Sequence, residues 1–407
     1  LNAEPFAGLL RHGVKPGLER IRKLLARLDH PERAFRVVLV GGSNGKGSTA
    51  RALAAILTAA GEKTGLFTSP HLLRINERIA VDGREIEDAE LEAAWEALAP
   101  HVRAVEATYF EVLAALALFY FARRGVGTAV LEVGLGGRFD AVNATEPELS
   151  LITNLSLEHT DWLGPTLTHI AREKAGIMRS GRPVLTAAAG YAGELLRAQA
   201  RRRGTVFEQV VPELAIPSGY GVAFSLGGRL YQGSLMGRHQ AANLALAVRA
   251  AQLLGLPERA IGRGLAQLVN PGRLSYRASE RLLCDGAHNP AGAAALAAAL
   301  ADYFPTSPKT LVFAASQGKD VATMAAWLRP HFYRVFLTAY PGKRSIGPQE
   351  LLAHFPGAVE APTPEEALAQ ARCERRPGEL TVVSGSLYLL AALARTRAGL
   401  PPEERSQ

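Results

Sequence analysis

The stretch Val40-Gly41-Gly42-Ser43-Asn44-Gly45-Lys46-Gly47-Ser48-Thr49-Ala50 follows a short apolar run, residues 35–40, and opens into residues 48–60, which read as a helix. Strand, glycine-rich turn and helix together are the setting of a phosphate-binding loop. Backbone N–H groups at the helix start and a lysine ammonium hold the phosphates there. Asn44, Gly45, Lys46, Gly47, Ser48 and Thr49 are the residues expected to hold the nucleotide. One position breaks the pattern: the residue after the lysine ordinarily offers a hydroxyl to Mg²⁺, and here it is Gly47. A loop of this kind needs its metal ligand from elsewhere in the chain.

Outward from the loop, residues 128–133, 149–155 and 183–187 read as further buried strands, with helical stretches between several of them. Residues 17–28 place apolar side chains on one helix face. The first part is therefore an α/β unit with a mostly parallel sheet and helices on its faces. Residues 219–234 alternate apolar and polar side chains around Gly227-Gly228 and predict a small β-hairpin appended to it. Helices over 240–254 and 257–268 and a polar linker over 270–280 follow. The pattern then restarts, with strands at 281–284, 310–314, 335–338 and 380–383 and helices at 291–303 and 322–328, as a second, smaller, Rossmann-like α/β domain. A chain of 407 residues exceeds one ordinary core. The expected division is 1–278, binding ATP, and 279–407, with a frayed tail at 401–407.

Composition excludes several classes. The start, residues 1–10, lacks the charged head and long apolar run of a signal peptide. The longest apolar candidate, residues 112–121, is shorter than the roughly 18 residues a membrane span needs. Two cysteines, Cys284 and Cys373, stand outside any metal or disulfide pattern. A soluble, cytoplasmic protein with no membrane partner is expected. The net charge of +8 is spread along the chain without interleaved aromatics, so small anionic substrates explain it better than nucleic acid. Eight lysines stand against 38 arginines. Lys46 and Lys174 are thus candidates for positions where an amine is chemically required.

A second stretch changes the reading: Thr68-Ser69-Pro70-His71-Leu72-Leu73-Arg74-Ile75-Asn76-Glu77-Arg78-Ile79. Together with the glycine loop it makes the chain resemble the folylpolyglutamate synthase/dihydrofolate synthase family, relatives of the Mur peptidoglycan ligases. The likeness continues through Thr108-Tyr109-Phe110-Glu111 and through Glu132-Val133-Gly134-Leu135-Gly136-Gly137-Arg138-Phe139-Asp140-Ala141. It extends to His159-Thr160-Asp161-Trp162-Leu163-Gly164, Glu173-Lys174-Ala175-Gly176-Ile177, Pro271-Gly272-Arg273 and Asp285-Gly286-Ala287-His288-Asn289-Pro290.

The resemblance implies an ATP-dependent ligase that adds L-glutamate to dihydropteroate or to a folate glutamate tail through an acyl phosphate. It assigns the Mg²⁺ hydroxyl to Ser69, with Glu132, His159 and Lys174 completing the metal set and two ions expected. Lys46, Lys174 and His159 are the implied catalytic groups, and Lys174 is expected to carry a carbamate. For ATP the likeness adds Asn243, Arg273, Asp285 and His288. For the pterin it adds Pro16, Gly17, Leu18, Thr108, Tyr109, Phe110, Glu111, Phe139, Asp140 and Ala141. A monomer is expected. The chain departs from the family at Glu158, where Asp is usual, and at Gly318, where the family has DKD. The alternative, a peptidoglycan amino-acid ligase, would normally keep Thr after the loop lysine and lack the second stretch.

Overall fold

The computed structural model describes residues 15–400; the expected frayed tail at 401–407 lies outside them. The first sheet contains β1 (Arg36–Gly41), β2 (Thr64–Phe67), β3 (Ile79–Val81), β4 (Arg84–Glu85), β5 (Thr128–Glu132), β6 (Leu149–Ile152), β7 (Pro183–Thr186) and β8 (Val206–Gln209). Their order is β4-β3-β2-β5-β1-β6-β7-β8, and every pairing except β2–β3 and β3–β4 is parallel. Successive residues of a strand face opposite sides, and β1 shows the consequence. Val37 and Leu39 enter one core with the helix Tyr109–Arg123, and Val38 and Val40 enter the other with α1 (Lys46–Ala59) and the helix His239–Leu253. Leu39 and Val40 are wholly buried, each contributing roughly 1.5–3 kcal/mol.

The expected hairpin is present as β10 (Gly221–Leu226) and β11 (Arg229–Gly233), but it is joined by β9 (Leu214–Ser218) into a three-stranded antiparallel sheet. The last sheet runs β12-β13-β17-β14-β15-β16, with β12 (Ser275–Arg277), β13 (Leu282–Cys284), β14 (Lys309–Phe313), β15 (Arg334–Leu337), β16 (Val359–Glu360) and β17 (Leu380–Ser384). All its pairings are parallel except β12 with β13. The segment 270–280 is thus not only a linker, because Ser275–Arg277 hydrogen-bonds into this sheet. A three-residue edge strand is too short to leave a periodicity in the sequence. The expected boundary at 278/279 falls just behind it.

Register brings the functional loops together. Phe67 pairs with Leu131, Val40 with Glu132, and Gly41 with Ile152. The chain beyond each of these parallel strands therefore emerges at one edge, where open α/β sheets hold ligands. The second sheet faces the same edge: Asn289 Nδ2 donates to Asn44 Oδ1 at 3.1 Å, and Asn270 Nδ2 donates to Ser48 Oγ at 2.9 Å. Among the described residues no helix is long and apolar enough to cross a membrane.

Candidate active site

A cavity of about 1010 Å³ opens at this edge, between the glycine loop and the ends of β13 and β17. Gly45 holds φ +85, and a Cβ there would lie 2.1 Å from Asn243 Oδ1, so only glycine lets the loop close onto the helix 239–253. Lys46 begins α1 and curls back, donating to the carbonyls of Gly42 (3.0 Å) and Ser43 (3.1 Å). Asn44, Gly47 and Ser48 also line the cavity. Thr49 does not: it is wholly buried, and its hydroxyl donates to the Asn243 carbonyl at 3.3 Å, because its position on α1 turns it toward the neighbouring helix.

Glu132 ends β5 as a buried carboxylate. Desolvation pushes its pKa above the ordinary range, against the pull of Lys46 and of the Ser69 N–H, which donates to Oε2 at 2.9 Å. A Cβ on Gly47 would lie 3.4 Å from the same Oε2. The position that lacks a hydroxyl thus lies next to this carboxylate, and Ser69 is beside it. Hard oxygen donors from Ser69 and Glu132, with phosphate and water for the rest, match what Mg²⁺ takes, so these residues fit the ion.

Lys174 and His159 lie on the other side of the loop. Lys174 is buried at the end of helix Leu167–Lys174, and its amine donates to Gly42 O and Glu158 Oε1, both at 2.7 Å. Burial lowers its pKa to about 8, although Glu158 pulls the other way. Glu158 is held below the usual carboxylate range, since Lys174 and Lys46 outweigh its own desolvation. His159 lines the cavity in a left-handed backbone conformation and starts the short helix Thr160–Leu163. Desolvation and the nearby Lys319, Lys46 and Lys174 lower its pKa, against Glu158. That shift favours the neutral imidazole, the form a metal accepts.

On the facing unit, Asp285 follows β13 and accepts from the N–H groups of Leu274 (2.8 Å) and Ala287 (3.0 Å). It thereby fixes the segment that carries Arg273. His288 donates from Nδ1 to Gly286 O at 2.8 Å, and burial pulls its pKa down to about 4. Asn243 donates to Gln240 Oε1 at 2.9 Å. Arg273, Asp285, His288 and Asn243 all line the cavity.

The expected pterin residues divide. Pro16, Thr108, Tyr109, Phe110, Glu111, Phe139, Asp140 and Ala141 line the cavity, whereas Gly17 and Leu18 do not. Leu18 instead packs against the core. Thr108 and Glu111 form a capping box for the helix 109–123, and Arg20 pairs with Glu111 at 3.1 Å. Asp140 accepts from Gly134 N (3.0 Å), Leu135 N (2.9 Å) and Val142 N (3.1 Å), so its carboxylate shapes the loop before it shapes a ligand.

The chain is similar to known proteins along nearly its whole length. Residues 40–205 match the Mur ligase middle domain, and residues 272–387 match the Mur ligase glutamate ligase domain. The dihydrofolate synthase/folylpolyglutamate synthase of Bacillus subtilis is 33% identical over 95% of this chain and 96% of its own length. The chain belongs to the folylpolyglutamate synthase/dihydrofolate synthase family. It is an amide-forming ligase of the Mur ligase superfamily. The E. coli FolC structure in complex with DHPP and ADP superposes with a TM-score of 0.89 at 29% identity, covering 97% of this chain and 98% of that one. The Yersinia pestis enzyme with Mn, AMPPNP and L-glutamate bound gives 0.85 at 30%, covering 97% and 98%.

Sequence reasoning left several groups of this ligase without a role. Glu158 was only a departure from the family pattern, yet it is the partner of Lys174. Asn270, in the supposed linker, holds Ser48. Lys319 and Arg344 line the cavity, and desolvation followed by Arg344 depresses the Lys319 ammonium. Lys319 lies in Gly318-Lys319-Asp320, the stretch whose departure from the family pattern bears on the glutamate end of the site.

Proposed function

We propose that the protein joins L-glutamate to the free carboxylate of dihydropteroate, or of a folate glutamate tail, in a reaction driven by ATP. The observation that carries this reading is the Lys46–Gly47–Glu132–Ser69 cluster, set in a cavity whose other wall presents Arg273 and Asp285. A carboxylate does not form an amide with an amine in water at useful rates, so it is first activated. The γ-phosphoryl group passes to the substrate carboxylate, ADP leaves, the glutamate amine attacks the acyl phosphate, and inorganic phosphate departs with the new amide formed. Lys46 releases its two carbonyls to neutralise the charge spreading over the transferring oxygens. Arg273 and Asn243 hold the nucleotide, with Asp285 and His288 on its ribose side. Glu132 and Ser69 would hold one Mg²⁺, and His159 with a carbamylated Lys174 a second; when bound, these ions polarise the phosphoryl oxygens.

Dihydropteroate and tetrahydrofolate are both substrates in this reading, supported by Phe110, Phe139 and Asp140 on one wall of the cavity. We place the protein in the cytoplasm as a monomer that binds neither membrane nor nucleic acid, with the unit of the eight-stranded sheet binding ATP and the unit of the six-stranded sheet, whose edge strand is Ser275–Arg277, completing the glutamate side. The test is ADP release with glutamate fixed and each pterin offered in turn, with and without added DNA. Turnover with both, indifferent to DNA, is expected. Turnover with tetrahydrofolate alone would remove the bifunctional reading. A peptidoglycan ligase shares the same two domains, but relatives matched along nearly the whole chain are named for folate substrates.

A further inference from the structure

A second cavity, of about 440 Å³, lies between α2 (Leu167–Lys174) and α3 (Gly190–Arg203) and is lined by Thr168, His169, Arg172, Gln199, Arg202 and Arg203. Its size falls within the ordinary range of small-molecule sites. Among the described residues Arg172 and Arg202 have no ion pair or hydrogen-bond acceptor for their guanidinium groups, and Arg203 has only Gln199 Oε1, at 2.6 Å. Arginines in the last turns of α2 and α3, Arg172 among them, complement those helix dipoles, but that does not account for Arg138 on the loop after β5. Desolvation, then Arg138, Arg172 and Arg202, depress the Arg203 pKa against Glu173, as expected where like charges gather without enough acid.

Arg138 stands between this cavity and the catalytic one, near enough to Arg203 to act on its charge. The Arg138 backbone N–H donates to Glu173 O at 2.9 Å, and its guanidinium lies 4.8 Å from the ring centre of Phe139. Both Phe139 and Glu173 line the larger cavity. We propose that Arg138, Arg172, Arg202 and Arg203 bind the α-carboxylates of a γ-linked glutamate tail carried by the substrate. The inference rests on the folate-ligase reading above. Each glutamate joined through its γ-carboxyl keeps a free α-carboxylate, so the substrate gains one negative charge per turnover. Only the terminal carboxylate belongs at Lys46, and with the pterin held beside Phe139 the intervening residues must loop out of the catalytic cavity. The cationic strip beginning at Arg138 is where a looped polyanion would find its counter-charges.

The experiment compares KM for monoglutamyl and pentaglutamyl tetrahydrofolate in the wild type, in Arg172→Gln/Arg202→Gln and in the exposed single variant Arg202→Gln, at low and high salt. The double variant is expected to raise the pentaglutamate KM about five- to tenfold, to leave the monoglutamate KM and kcat unchanged, and to flatten the salt dependence of the former. The single variant should show a smaller change of the same kind. Equal changes for both substrates, or none for either, overturn the proposal. Tripolyphosphate separates tail from free anion: protection from thermal unfolding that is lost in the double variant, with an unchanged pentaglutamate KM, would mark a phosphate site and also overturn it. A wild type inert toward the monoglutamate would instead refute the underlying functional reading.

Discussion

At Gly47 a missing hydroxyl and a nearby carboxylate are two views of one arrangement. A Cβ there would stand in ordinary van der Waals contact with Glu132 Oε2, so the carboxylate lies beside the place where a hydroxyl would be. Ser69→Ala is therefore expected to raise the Mg²⁺ needed for half-maximal turnover while leaving metal-free ADP binding intact. Wild-type behaviour of that variant at limiting Mg²⁺ would dismiss the assignment. Lys46→Ala should weaken nucleotide binding in calorimetry and lower kcat by about 10²-fold or more, the cost of removing a preorganised cation from the transferring group. Lys174 is harder to read from residues alone, because its partner Glu158 lies on a separate loop, sixteen positions away. Its amine, with a pKa of about 8, is partly neutral at physiological pH, and only the neutral form adds CO₂ to give a carbamate and a proton. Lys174→Ala should lose activity and recover part of it with millimolar acetate, whereas Lys174→Arg should be inactive. A fully active Lys174→Arg variant would rule the carbamate out.

The loop after β5 shows how an element is held by a residue first noticed for another reason. Asp140 joins three backbone N–H groups with one carboxylate, and burial raises its pKa from 3.8 to about 6. A proton on that group leaves fewer acceptor positions for three donors. The Asp140 carboxyl should titrate by NMR with a midpoint near 6; a midpoint near 4 would contradict this. A raised folded-state pKa means the buried carboxylate costs stability above about 6, a cost that disappears toward 3.8. Elements were legible where the sequence carries a long signal. β1, β5, β6 and β7 are apolar runs, and the loop between β1 and α1 has its glycines. The helix 109–123 is buried nearly all round, so it has no amphipathic stripe and reads only as an apolar run. β12 is only three residues long, and β9 contains Pro217 and no fully buried residue, so neither leaves a strand pattern in the sequence.

Over the whole molecule, the candidate site exists only where two separately packed units meet. One core pair surrounds the eight-stranded sheet, and another surrounds the six-stranded sheet. Among the described residues, the polar contacts between them include Asn289 to Asn44 and Asn270 to Ser48 near the nucleotide loop, and Arg238–Asp302, Tyr303 to Gly221 O at 2.6 Å and Arg395 to Leu73 O at 2.7 Å elsewhere. A nucleotide placed between Lys46 and Arg273 would add links to both sides at once. A ligand that binds only the native state at about 100 times its Kd stabilises it by about 2.7 kcal/mol. If it contacts both units, that energy acts on their joint unfolding. Calorimetry without ligand should therefore resolve a broad or split transition. Saturating ADP with Mg²⁺ should merge it into one sharper transition at higher temperature, and Arg273→Ala should keep the upward shift of the Lys46 unit while losing the merger. A nucleotide that raises one component and leaves the other in place, in the wild type, would show that it binds one unit alone, and the two-sided site would have to be abandoned.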